Sequence, residues 1–278
     1  MSLKDIIVHL DTAKACANRV KAALVLANDH GAHLTGVGVV HRTYIPAYAE
    51  AEIGVEFIEE RQRAFREAVE GIGTGFISQT DAAGVSADWR VVEGEPVDAL
   101  SEQARYGDLI ILSQDESFDD LLPGGHDLPD RVILSAGRPT LIVPSIYDGA
   151  PIGKRVLVAW DAGRMAARAV HDALPILQKA EKVTIMVANP EPGEEGHGDL
   201  PGADLAAHLA RHGVTAEADH TISGEVNVGD LLLSRAADAQ SDMIVLGAYG
   251  HARWRELVLG GVTRHMLEHM PVPVFMSH

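Results

Sequence analysis

Short apolar runs alternate along this chain with longer segments whose apolar residues recur every three or four positions. The first run, Ile6-Ile7-Val8-His9-Leu10-Asp11, ends in an aspartate and leads into an alanine-rich stretch from Ala13 to Gly31. Uninterrupted apolar runs of this length suit strands buried on both faces, and the longer segments suit helices packed against them. The pattern then repeats. Val156-Leu157-Val158-Ala159-Trp160-Asp161 leads into Arg164 to Ala180 in the same way. Val91-Val92-Glu93-Gly94-Glu95-Pro96 is echoed by Thr221-Ile222-Ser223-Gly224-Glu225-Val226, and Gly107-Asp108-Leu109-Ile110-Ile111-Leu112 by Ser241-Asp242-Met243-Ile244-Val245-Leu246. Arg138-Pro139-Thr140-Leu141-Ile142-Val143-Pro144 pairs likewise with Met270-Pro271-Val272-Pro273-Val274-Phe275-Met276.

Matches in one order over so long a period mean two globular halves rather than a solenoid. Each half reads as five strands alternating with four helices. In the second half the strands are expected near 155–160, 183–188, 215–222, 242–247 and 272–277, and the helices near 164–180, 201–213, 226–240 and 260–269. The fold class is therefore α/β: two tandem doubly wound domains, each a five-stranded parallel sheet with helices on both faces. Tyr147 to Gly153, rich in Gly and Pro, is the natural linker, placing the domains at 1–146 and 152–278. The acidic stretch from Asn189 to Asp199 reads as an exposed, mobile loop. Pro271 and Pro273 suit an edge strand, and that edge is where the halves are expected to pair.

Charge narrows the partners. The 278 residues carry 23 basic and 40 acidic side chains, a formal net charge of −17, so duplex nucleic acid and anionic membranes are poor partners. Cys16 is the one cysteine, so an intrachain disulfide cannot form and a reducing compartment is expected. No apolar run approaches the roughly 20 residues that span a bilayer, and the start of the chain passes directly into a strand pattern. A cytoplasmic protein is the expectation.

Candidate chemistry gathers near the C-terminus. Gly247 closes an apolar run, Gly250 follows at i+3, and Gly260-Gly261-Val262-Thr263 opens a helix-patterned segment. Glycines there let backbone N–H groups converge on a ligand, and a helix start presents unpaired N–H groups to an anion. With strand order 3-2-1-4-5, the first and fourth strands lie side by side where the order reverses, the usual crevice for a ligand. Asp161 and Gly247 would then face one crevice, with phosphate at the glycines and a base near Val187.

On these residues the chain resembles a tandem universal stress protein. The family's nucleotide signature is Gly, two residues, Gly, nine residues, Gly, then Ser or Thr. Gly247, Gly250 and Gly260 fit, while Gly261 stands in place of Ser or Thr. The resemblance implies ATP or AMP as ligand, which Mg could accompany. It implies contacts from Ala159, Trp160, Asp161 and Val187 toward the adenine end, and from Gly247, Gly250, Gly260, Gly261 and Val262 toward ribose and phosphates. Thr263 is the candidate replacement for the missing hydroxyl.

The first half departs from the signature. Ser113 and Glu116 replace the first two glycines, and Asp115, Asp119, Asp120 and Asp127 make the region acidic. Asp11 survives but the cradle does not, so this copy is expected to be structural or regulatory.

Other readings are weaker. His208/His212 and His265/His269 have the i,i+4 spacing of metal ligands, yet no Cys or HExxH accompanies them, and solvated faces explain them. Gly36-Val37-Gly38 lacks the third glycine of a dinucleotide fingerprint. Neither a P-loop nor a GxSxG elbow is present. His9 and Cys16 read as core residues, and Arg253 and Arg255 as solvated side chains within reach of a γ-phosphate. No catalytic residue is assigned. The expectation is a stress-response protein that senses or regulates through a nucleotide, binding it in the second domain and ordering Ala248 to Leu259. The alternatives are a nucleotide-free dimerisation scaffold and a slow nucleotide hydrolase.

Overall fold

The apolar runs form ten strands, and alternation within each strand decides which face each side chain covers. A computed structural model describes residues 2–41, 55–114, 128–190, 200–222, 224, 226–249 and 261–278. The first half contains β1 (Asp5–Leu10), α1 (Cys16–His30), β2 (His33–Val40), α2 (Val55–Ala82), β3 (Ala87–Glu93), α3 (Pro96–Ala104), β4 (Leu109–Ser113), α4 (Leu128–Ser135) and β5 (Thr140–Val143). The second repeats the order: β6 (Arg155–Ala159), α5 (Arg164–Leu177), β7 (Lys182–Ala188), α6 (Ala203–Arg211), β8 (Ala216–Thr221), α7 (Val228–Asp238), β9 (Met243–Gly247), α8 (Gly261–His269) and β10 (Val274–Ser277).

All ten strands join one sheet in the order β3-β2-β1-β4-β5-β10-β9-β6-β7-β8. Within each half the order is 3-2-1-4-5 and every pairing is parallel. The halves meet where β5 and β10 pair antiparallel, Val274 opposite Ile142 and Met276 opposite Thr140. Pro273 immediately precedes β10, so no ladder donor is missing within it. The outer edges are β3 and β8, and β8, Ala-Glu-Ala-Asp-His-Thr, is largely exposed and polar, as an unpaired edge should be.

Side chains above and below the sheet form two cores. On one face Ile6, Val8 and Leu10 pack with α1 and with Phe76 of α2; Val156, Val158 and Val187 pack with α5 and α6. On the other, Ile7 and Leu157 meet residues of α3, α4, α7 and α8. Both cores run across the β5–β10 seam. The halves are also joined by Lys154 against Asp29, 2.8 Å, and by Lys179 Nζ donating to the Asp29 carbonyl.

Local sequence explains the helix starts. Glu95 Oε2 accepts from the Val97 N–H at 2.8 Å with Pro96 at the first helical position, and Asn227 Oδ1 accepts from the Gly229 N–H at 2.7 Å. Gly36 and Gly38 in β2 serve packing: a Cβ on Gly36 would come within 2.6 Å of Leu10 Cδ1, and one on Gly38 within 2.5 Å of Val69 Cγ1. Among the described residues no helix is long and apolar enough to cross a membrane.

Candidate functional site

Strand order reverses twice in this sheet, at β1/β4 and at β6/β9, so topology offers one crevice per half. In the second half β6 and β9 lie in register with Val158 opposite Val245, which sets Asp161 and Gly247 at neighbouring strand ends. Asp161 is exposed, and its Oδ1 accepts from the Gly163 N–H at 2.8 Å, shaping the turn into α5. A Cβ on Gly247 would lie 2.4 Å from the Ala166 nitrogen and 2.5 Å from the Met165 carbonyl carbon. That glycine is therefore required for the first turn of α5 to close on the sheet, a reason independent of any ligand.

The expected nucleotide residues divide on inspection. Asp161, Gly247 and the exposed start of α8 at Gly261 lie around the crevice, with open space where a Gly261 side chain would project. Val262 is half-buried against the lower core. Ala159 ends β6 with 8% of its surface exposed, and Trp160, half-buried, donates its N–H to the Met186 carbonyl at 2.9 Å. Val187 has no exposed surface, because alternation along β7 turns its side chain into the core beside Leu205 and Leu209. It can offer a base only its backbone. Thr263 is buried as well, 3% exposed, and its hydroxyl oxygen accepts from the Tyr249 N–H at 3.3 Å. Thr263 thus supports the turn after β9 through its hydroxyl oxygen. Gly250 and Gly260, like Arg253, Arg255, Glu116 and the stretch 191–199, lie outside the described residues.

Backbone conformation supplies a signal that composition does not. Ala162, Asn189 and Tyr249 have φ of 55°, 52° and 58°. They follow the C-terminal ends of β6, β7 and β9, the three strands flanking the second crevice. Non-glycine residues held there cost about 1–3 kcal/mol each, and such residues concentrate at functional sites. The fourth, Gln240, follows α7. Among the described residues of the first half there is none.

The first crevice is closed from within. Arg19, on the inward face of α1 and only 3% exposed, donates from Nε to the His9 carbonyl at 2.9 Å and from Nη1 to Ser113 Oγ at 2.8 Å. Its Nη2 stands 2.5 Å from Asp11 Oδ1. Burial alone would raise the Asp11 carboxyl, but Arg19 and His9 beside it, and hydrogen bonds from Arg19 and the Ala13 N–H, hold it below the ordinary carboxylate range. Burial pushes the neighbouring His9 imidazole down to about 4; Arg19 adds to this and Asp11 opposes it. Numbered from the matching aspartates, Arg19 corresponds to Ala169, His9 to Ala159 and Ala15 to Met165. Sequence inspection passed over Arg19, although one cation on the apolar face of an alanine-rich helix was a visible signal.

The histidine pairs are accounted for by protein contacts. The His265 and His269 rings stack at 4.3 Å, with His265 Nε2 2.8 Å from Asp230 Oδ1 and His269 Nδ1 3.0 Å from the His265 carbonyl oxygen. Among the described residues no group of three or more His, Cys, Asp and Glu is placed to hold a metal ion.

Fold and crevice together define a tandem pair of doubly wound α/β units, one crevice filled by an arginine and the other bordered by strained turns. Residues 153–278 match the model of the universal stress protein family. Over nearly the whole chain the structure is similar to a universal stress protein from Archaeoglobus fulgidus DSM 4304, with TM-score 0.72, 17% identity, and 98% of this chain and 97% of that one covered. A functionally unknown protein from Pseudomonas aeruginosa PAO1 is also similar, with TM-score 0.60, 14% identity and coverage of 99% and 92%. At these identities the likeness is one of fold. No curated protein matches the sequence.

Proposed function

We propose that the second domain, residues 152–278, binds an adenine nucleotide, ATP or AMP, and that the protein works as a sensor or regulator in a stress response rather than as a fast enzyme. The observation that carries this reading is the contrast between crevices. Asp161 faces solvent beside an exposed helix start, whereas its counterpart Asp11 is taken up by Arg19. The residues fit the two ends of a nucleotide in part: Asp161 as an acceptor for ribose hydroxyls or an amino group, and the N–H groups at the start of α8 for phosphate. Val187 and Thr263 fit only as backbone and as support.

The test is thermal denaturation with ATP or AMP, with and without Mg, together with mass analysis of the purified protein. A saturable stabilisation is expected, about 2.7 kcal/mol when ligand exceeds Kd a hundredfold. Gly250→Glu, which copies Glu116 of the first half, should remove it. An unmoved transition at millimolar nucleotide would sink the reading in favour of a nucleotide-free scaffold, and rapid release of phosphate or pyrophosphate would favour a hydrolase.

A further inference from the structure

The turn that leaves β9 beside the second crevice is held by a residue of the first half. Tyr249 has φ 58°, in the left-handed region that a bulky side chain enters only under constraint. Three contacts supply the constraint. Its N–H donates to Thr263 Oγ1 of α8, its ring meets the His278 ring edge-on with centroids 6.2 Å apart, and its hydroxyl donates to Asp130 Oδ1. Asp130 stands in the first turn of α4, 119 residues earlier and on the far side of the β5–β10 seam.

We propose that Asp130 is a positioning residue for the second-half site: by anchoring the Tyr249 hydroxyl it holds the Tyr249 backbone in its left-handed conformation beside the end of β9. A phenol hydroxyl donating to a carboxylate belongs to the stronger class of hydrogen bonds. A tyrosine fixed at its backbone by α8 and at its tip by α4 has little freedom to relax the turn. A second contact from the first half reaches α8. Gln114 Nε2, just past β4, donates to the Leu267 and Glu268 carbonyls at the end of α8, at 2.9 and 3.0 Å. The first half thereby helps to hold the turn after β9 and the end of α8 in the second.

The consequence for affinity rests on the nucleotide reading; the positioning itself does not, and the experiment separates them. In the full chain, Asp130→Ala, Asp130→Asn, Tyr249→Phe and the double variant Asp130→Ala/Tyr249→Phe are compared for ATP dissociation constant and for ligand-free hydrogen exchange at the Tyr249 amide. ATP should bind on the order of tenfold more weakly to Tyr249→Phe and to Asp130→Ala, and no more weakly to the double variant. Asp130→Asn keeps an acceptor oxygen and should stay within about threefold of the parent. Without ligand, the Tyr249 amide should exchange about tenfold faster in Asp130→Ala while the β9 amides keep their protection. Unchanged exchange at Tyr249, or losses that add in the double variant, would overturn the proposal. If the parent binds no ATP, the nucleotide reading fails alone and exchange at Tyr249 still decides the positioning. Should Asp130→Ala not fold, the near-isosteric Tyr249→Phe carries the same comparison.

Discussion

Asp11 and Asp161 close the first strand of two copies of one unit, and each accepts an N–H two residues on, from Ala13 at 3.0 Å and from Gly163 at 2.8 Å. Their surroundings then diverge. Arg19 reaches back from α1 to fill the first crevice, and Ser113 fits at the end of β4 because α1 leaves room for it. In the second copy Ala169 stands where Arg19 stood, and Gly247 where Ser113 stood. Without the arginine and the hydroxymethyl group, the first turn of α5 comes down onto β9 until even a Cβ at Gly247 would collide. The comparison teaches that the switch point is a property of topology, present twice, and that two side chains decide how closely the first helix of each half approaches the neighbouring strand end.

The sharpest way to break the comparison is to remove the arginine. Arg19→Ala leaves the buried Ser113 Oγ and His9 carbonyl without this donor and the half-buried Asp11 carboxylate without its cation. The loss is expected to cost about 2–4 kcal/mol, read as a lower urea midpoint. Asp161→Ala removes the matching carboxylate from an exposed position, with its bond to the Gly163 N–H, and should cost about 1 kcal/mol. Equal losses at the two sites would refute the claim that only the first crevice is filled by the protein itself.

Acid should find the same asymmetry. The folded-state pKa of His9, about 4, lies below its ordinary 6.5, so the unfolded chain takes up a proton first as pH falls. This stability is complete above pH 6.5 and is lost progressively toward pH 4, about 2 kcal/mol having gone by pH 5. His30, also lowered to about 4 by burial and by Lys179 and Lys154, acts in the same direction over the same window. Ala159, the counterpart of His9, has no proton to gain. Hydrogen exchange at pH 7 and pH 5 should therefore show protection falling in β1, β2 and β4 before β6, β7 and β9. A uniform loss across the sheet would contradict the assignment.

Periodicity reveals what is local and repeated. The parallel α/β class follows from alternating apolar runs, and the pairing edge from prolines beside the last strand, because both depend on short-range pattern, whereas the 3-2-1-4-5 order is assumed from the doubly wound class. Helix 164–180 is shorter than expected, ending at Leu177, since α5 closes through Gln178 N–H bonds to the Ile176 and Leu174 carbonyls. Residue type and spacing speak for Asp161 and Gly247, but not for which face of β7 the Val187 side chain covers, nor for the backbone N–H fourteen residues away from which the Thr263 hydroxyl oxygen accepts. Arg19 and Asp130 depend on contacts across 94 and 119 residues, which no local pattern encodes.

The smallest expected effect sharpens the comparison from the second half. Gly261 departs from the family's signature by lacking a hydroxyl at the start of α8, and it is exposed, with nothing within 4 Å of where a Cβ would stand. Its φ lies outside the left-handed region, so a side chain adds no backbone strain. Gly261→Ser should leave the fold unchanged or raise stability by a few tenths of a kcal/mol, as serine replaces glycine at a helix start. If phosphate lies against this helix start, the new hydroxyl adds one hydrogen bond to a charged group, and ATP should bind about threefold to tenfold more tightly. AMP, with a single phosphate, is the control: a gain confined to ATP places the β- and γ-phosphates at Gly261, and an equal gain for both places the α-phosphate there. No gain for either nucleotide would mean that the phosphates lie elsewhere, leaving Asp161 as the one described residue on which the second crevice could still be argued to differ in purpose from the first.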